Sequence, residues 1–99
     1  MVTIVWTEIS TEDLKEIFDF IAEDSIRYAT ITSNKIYQRA QLIAQNPYVG
    51  RIVPEYNEKS IREVIEVNYR IIYRVKNAQQ IDILRVYHSA RLLKTKELE

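Results

Sequence analysis

Tyr69-Arg70-Ile71-Ile72-Tyr73-Arg74-Val75, then Lys76-Asn77-Ala78-Gln79-Gln80, then Ile81-Asp82-Ile83-Leu84-Arg85-Val86-Tyr87-His88, is the stretch that decides the fold. Its outer runs are rich in β-branched and aromatic residues, which pack well on a pleated surface. The short polar segment between them leaves room only for a hairpin, so the runs read as antiparallel neighbours. Upstream, Ile61-Arg62-Glu63-Val64-Ile65-Glu66 reads as a further strand, with Asn68 suited to the turn that follows. Three consecutive antiparallel strands need a cover for one face.

The first half of the chain supplies that cover. Val2 to Trp6 is short and β-rich, with Val2, Ile4 and Trp6 on one side. Ser10 is a candidate N-cap, and Thr11, Glu12 and Asp13 would place acid in the first turn of a helix, where the dipole favours it. Leu14, Ile17, Phe18 and Ile21 recur at helical spacing. Asp24-Ser25 marks a second cap. Ala29, Ile36, Ala40 and Ile43, widened by Leu42 and Ala44, form a second stripe that ends before Pro47. The two helices read as an αα-hairpin. Both prolines and the only glycine fall between Pro47 and Ser60, which reads as a long loop of the kind that often carries function. The predicted fold class is α+β, with the order β-α-α-β-β-β and an αα-hairpin packed on a small, mostly antiparallel sheet. Leu92 and Leu93 begin a short polar tail.

Size and composition agree with one domain over residues 1–99. Hydrophobic residues make up 46% and charged residues 28%, which is globular rather than disordered. With no cysteine and a single histidine, neither a disulfide scaffold nor a thiolate or multi-histidine metal site is expected. No cofactor is implied: there is no glycine-rich phosphate loop and no Ser/His/Asp triad. The N-terminus lacks a basic region and a long apolar run, so a cytoplasmic protein with no membrane segment is expected. Lys+Arg and Asp+Glu both number 14, so a basic face could only be local.

If the hairpin loop is symmetric about Ala78, Val75 faces Ile81, Tyr73 faces Ile83 and Arg70 faces Val86. Arg70, Ile72, Leu84, Val86 and His88 then share one face, with Tyr69, Tyr73 and Tyr87 on the other. A one-residue slip would separate Arg70 from His88. Together, Arg70 could hold a phosphate and His88 could move a proton, with Glu55 or Glu63 as the second proton carrier. The structural alternative is that Arg70 pairs with a helix carboxylate and His88 bonds at the sheet edge. Base rates for a lone arginine and histidine favour the structural alternative. The tyrosines Tyr69 and Tyr87 read as cross-strand packing, with base stacking as the sharper option. Tyr28 and Tyr37 read as half-buried, and Trp6 as core or rim.

Three segments resemble the RelE/ParE toxin superfamily. Asp13-Leu14-Lys15-Glu16-Ile17-Phe18-Asp19-Phe20-Ile21 is similar to the first helix of ParE-type toxins. Asn46-Pro47-Tyr48-Val49-Gly50-Arg51-Ile52-Val53-Pro54-Glu55 is similar to their P-x-x-G-R-x-x-P-E loop. Tyr69 to Val75, followed by Ile83 to Arg91, is similar to Y-R-I-I-Y-R-V and I-L-R-V-x-H-x-x-R. The resemblance implies the toxin of a type II toxin–antitoxin system, neutralised by a cognate antitoxin lying between the αα-hairpin and the sheet. ParE-type members poison DNA gyrase; RelE-type members cut mRNA on the ribosome without a metal. For the ribonuclease branch, the resemblance implies catalytic roles for Glu55, Arg70 and His88. Ser89 stands where those enzymes often carry a tyrosine, and the chain lacks their basic excess. Both departures point to the gyrase branch, with the ribonuclease and an inactive binding module as alternatives.

Overall fold

A computed structural model of the chain describes residues 1–89. The element order is β1 (Thr3–Trp6), α1 (Glu8–Ala22), α2 (Ile26–Leu42), a 3-10 turn (Ile43–Gln45), β2 (Arg51–Ile52), β3 (Ile61–Glu66), β4 (Tyr69–Asn77) and β5 (Gln80–His88). The sheet order is β1-β5-β4-β3-β2. β1 runs parallel to β5, and every other pair is antiparallel. The two helices cover one face, which is the α+β arrangement the periodicities predicted. The tail beginning at Leu92 lies outside the described residues.

Three local readings change. The N-cap of α1 is Thr7 rather than Ser10. The Thr7 hydroxyl accepts the Ser10 N–H at 3.2 Å and donates to the Ile83 carbonyl at 2.7 Å, so it caps the helix and ties it to β5 at once. Ser10 is buried one turn in, and Glu8 is the first-turn acid. Ser25 caps α2 as expected. The long loop contains the two-residue strand β2, too short to show any period. The β4–β5 loop is tighter than expected: both strands extend to Asn77 and Gln80, and the Asn77 side chain accepts the Gln79 N–H at 2.8 Å.

The core lies in two layers. Ile36, Ala40 and Ile43 of α2 pack on Val64, Ile71, Tyr73, Ile81, Ile83 and Val86 of the sheet. On the far face, Val53, Ile61, Ile72 and Tyr87 form a second cluster under the loop that follows β2. Leu14, Ile17 and Ile21 are only half-buried, and Phe20 is 72% exposed, so α1 closes its side of the core incompletely. Trp6 stacks on Tyr37 at 5.9 Å; Tyr28 and Tyr37 are more exposed than expected.

The β4–β5 register holds the decisive correction. The turn itself pairs Asn77 with Gln80; after a one-residue shift at Lys76, Val75 pairs with Ile81 and Tyr73 with Ile83, the pairs that symmetry about Ala78 predicts. The ladder then shifts by one residue at Leu84: Ile72 pairs with Arg85, Ile71 with Val86, Arg70 with Tyr87 and Tyr69 with His88. Such a bulge exchanges the faces of everything beyond it. The Asp13 carboxylate sits at the irregular point. It accepts Nε and an Nη of Arg85 at 2.8 and 3.0 Å, and the backbone N–H of Val86 at 3.0 Å. A charge in the apolar stripe of a helix is thus paired with a charge and a backbone donor beside the bulge. Asp13→Ala is expected to cost about 3 kcal/mol, because it strips a nearly buried guanidinium and a buried N–H of their common acceptor. Urea denaturation of the variant against the parent checks this.

Candidate functional site

The loop after the helices is positioned from inside. The Tyr73 hydroxyl, fully buried on β4, donates to the Pro47 carbonyl at 2.8 Å and accepts the Gly50 N–H at 3.0 Å. Gly50 has to be glycine here: a Cβ would stand 2.5 Å from the Glu63 carbonyl oxygen and 2.7 Å from the Tyr73 hydroxyl. Burial raises the Tyr73 pKa; the Gly50 N–H and the charges of Arg62 and Arg39 oppose that shift without cancelling it. From Val53 the chain makes one tight turn, with the N–H groups of Tyr56 and Asn57 on the Val53 carbonyl. Pro54 suits the first corner of that turn, and Glu55 follows it towards the sheet.

Arg70 receives Glu55. Its two terminal nitrogens donate to the two carboxylate oxygens of Glu55 at 2.9 and 3.0 Å, a bidentate fork. Its Nε donates to Glu63 Oε1 at 2.6 Å, and Glu63 also takes the Arg51 guanidinium. Arg70 is 4% exposed and Glu63 1%. Burial alone would lower the Arg70 pKa; the hydrogen bonds and charges of Glu55 and Glu63 outweigh it and raise it. Two guanidinium groups and two carboxylates make this cluster neutral as a unit. A phosphate approaching Arg70 would have to displace Glu55.

His88 is elsewhere. Beyond the bulge it lies on the helix-facing side, edge-on to Tyr69 at 5.7 Å. There it lines an open groove with Asp13, Glu16, Ile17, Phe20, Tyr69 and Val86. The structure therefore joins Glu55 to Arg70 and sets His88 on the other face. Tyr87, expected beside Tyr69, instead shares the face of Arg70, with Arg85 over its ring at 4.5 Å. Sequence reasoning offered Glu63 only as an alternative to Glu55; both are used. It missed the roles of Arg51 and Tyr73, since nothing in local spacing links either one to its partners. Asp13 could have been found: it lies three residues after Ser10 and four before Ile17, on the inward line of α1. Among the described residues, no group of acidic, histidine or cysteine side chains is placed to hold a metal ion, and no helix is long and apolar enough to cross a membrane.

The chain matches the family described as ParE toxin of type II toxin–antitoxin system, parDE, over residues 4–93. It belongs to that family. No curated protein matches it in sequence. Among solved structures, this ParE-family chain is similar to one of the chromosomal ParDE system of P. aeruginosa, with a TM-score of 0.72 and 22% identity over 89% of this chain and 96% of that one. The RelBE2 toxin–antitoxin complex of Mycobacterium tuberculosis gives 0.59 and 21% over 88% and 96%. The YoeB/ParE toxin of Agrobacterium tumefaciens gives 0.58 and 17% over 88% and 98%. At these identities the likeness is one of fold.

Two variants probe the ParE-family site. Arg70→Ala is expected to cost about 3–5 kcal/mol, since it leaves the Glu63 carboxylate buried beside one remaining cation; denaturant titration measures it. Because the folded pKa of Tyr73 lies above the ordinary value of 10.0, its contribution is intact below that pH. It is lost as pH rises from there through the folded value, where the unfolded chain releases the proton first. Tyr73→Phe is expected to remove about 1–3 kcal/mol at neutral pH and to flatten the alkaline limb of the stability profile.

Proposed function

We propose that this ParE-family chain is a cytoplasmic growth inhibitor that acts on DNA gyrase by binding, without chemistry of its own, and is neutralised by a cognate antitoxin. One observation carries the choice of target. The groups a metal-free ribonuclease would need are not assembled: Arg70 is held by two carboxylates, and His88 stands across the sheet from it. A proton carrier must reach the atom it serves, and a phosphate-binding arginine must be able to meet the developing charge. The fold likeness to a ParDE toxin supports the same reading.

The groove between α1 and the ends of β4 and β5 suits the antitoxin. Its floor is apolar (Ile17, Phe20, Val86), and the exposed Glu16 adds acid at its wall, Asp13 being already paired with Arg85. An amphipathic segment with basic residues beside its apolar ones would complement it. The P. aeruginosa and M. tuberculosis structures come from paired toxin–antitoxin systems, which supports a partner of that class here.

The direct contact of Glu55 with Arg70 keeps a second reading in view, a ribosome-dependent ribonuclease using Glu55, Arg70 and His88. Induced expression in a bacterial host separates the two. The expected result is growth arrest with DNA breaks and intact mRNA, retained in His88→Ala. Cleaved mRNA with intact DNA, abolished by His88→Ala, would establish the ribonuclease instead.

A further inference from the structure

The Pro47–Gly50 loop has cations near it that, among the described residues, form no ion pair. Arg62 of β3 donates Nε to the Lys59 carbonyl at 2.9 Å and an Nη to the Gly50 and Tyr48 carbonyls at 3.0 and 3.3 Å. Its guanidinium lies over the Tyr48 ring at 4.8 Å, and Tyr48 is 56% exposed. Arg62 therefore keeps a full positive charge while its hydrogen bonds go to neutral carbonyls.

Arg39 stands close by. It adjoins Ala40, which packs in the same buried cluster as Tyr73, and its charge, like that of Arg62, acts on the Tyr73 hydroxyl. Lys35 is one turn earlier on α2, exposed and on the same face of the helix as Arg39. Lys59 lies beside Arg62 through its own carbonyl. Among the described residues, none of these four cations forms an ion pair, whereas Arg51, Arg70, Arg85 and Lys15 all do. Glu58, next to Lys59, pairs with none of them. In a chain of zero net charge a basic face can only be local, and these four cations lie near the Pro47–Gly50 loop and the end of α2.

We propose that Arg62 and Lys59 beside the exposed Tyr48, with Arg39 and Lys35 on successive turns of α2, form a binding patch for the phosphodiester backbone of DNA. Unpaired cations suit the regular negative charge of a backbone, which they neutralise with release of counterions. An arginine held in place by carbonyls enters that contact with little ordering cost. The exposed tyrosine ring offers a flat surface beside the charges for a sugar or an unstacked base. The patch lies at the Pro47–Gly50 loop and α2, apart from the His88 groove, so DNA and an antitoxin segment in that groove would not compete for the same side chains. The choice of DNA over RNA rests on the gyrase reading, because a gyrase inhibitor works where DNA is held.

Fluorescence anisotropy of the full chain with labelled duplex DNA, taken across a salt series, tests the patch. Binding is expected at low salt, with log K falling linearly against log salt. The double variant Lys35→Gln/Arg39→Gln should lower the magnitude of that slope by about one for each cation removed. Both side chains are on the surface, so circular dichroism should show an unchanged fold. Tyr48→Ala should weaken binding without changing the slope. Absence of DNA binding at low salt would overturn the proposal even if expression still breaks DNA in cells. An unchanged slope in the double variant, or binding of RNA in place of DNA, would overturn it equally. DNA binding that depends on these residues, in a chain that leaves gyrase untouched, would uphold the patch and sink the gyrase reading.

Discussion

The carboxylate of Asp13 joins the helical layer to the irregular point of the sheet. It holds the Arg85 guanidinium and the Val86 N–H together. β1 accompanies β5 only as far as Ile83, and the β4–β5 ladder shifts one residue later. Past that shift every side chain of β5 points the opposite way from where the register of Val75 to Tyr73, continued, would send it. A first one-residue shift, between Val75 and Asn77, is offset by this one, and together they set the pairing of Arg70 with Tyr87 and of Tyr69 with His88 at the floor of the open groove. A helix-borne acid, 72 residues away in sequence from Arg85, thereby braces the strand where its ladder is irregular.

On the far face, the buried charges answer one another. Glu63 is fully enclosed and would be prohibitive alone; Arg51 and Arg70 make it tolerable, and Glu55 completes the fork on Arg70. Such a network is weak as a source of net stability and strong as a constraint, because losing any member exposes the others. It fixes the turn at Pro54 against the sheet, as Tyr73 fixes the turn at Gly50. The same geometry that makes Arg70 valuable to the fold leaves it poorly placed to receive a substrate phosphate. The groove beside α1 and the cations near the Pro47–Gly50 loop lie outside this network.

Much of this was legible in the residues. The β-branched run from Tyr69 to Val75 and its partner from Ile81 gave the central hairpin, and the spacing of Ala29, Ile36, Ala40 and Ile43 gave the inner face of α2. The pairs Val75–Ile81 and Tyr73–Ile83 follow from symmetry about Ala78, although the turn itself pairs Asn77 with Gln80. The rest depended on interactions that leave no local trace. The ladder carries two shifts, at Lys76 and at Leu84, that no local pattern announces, so Arg70 and His88 could not be placed by counting from a turn centred on Ala78. Glu55 and Arg70 do meet, as the pairing of a loop acid with a strand arginine suggested, but Glu63 joins them rather than substituting for Glu55. Thr7 displaced Ser10 as the helix cap because its hydroxyl could reach β5 as well as the helix, a gain that only tertiary structure supplies.

The register beyond Leu84 is therefore the quantity to measure, by cross-strand nuclear Overhauser effects in the isotopically labelled chain. Contacts of Tyr69 with His88 and of Arg70 with Tyr87 are expected, together with a slowly exchanging Val86 amide. Contacts of Arg70 with Val86 and a His88 ring beside the Arg70 guanidinium would contradict the bulge, and would return the arginine and the histidine to one face as partners.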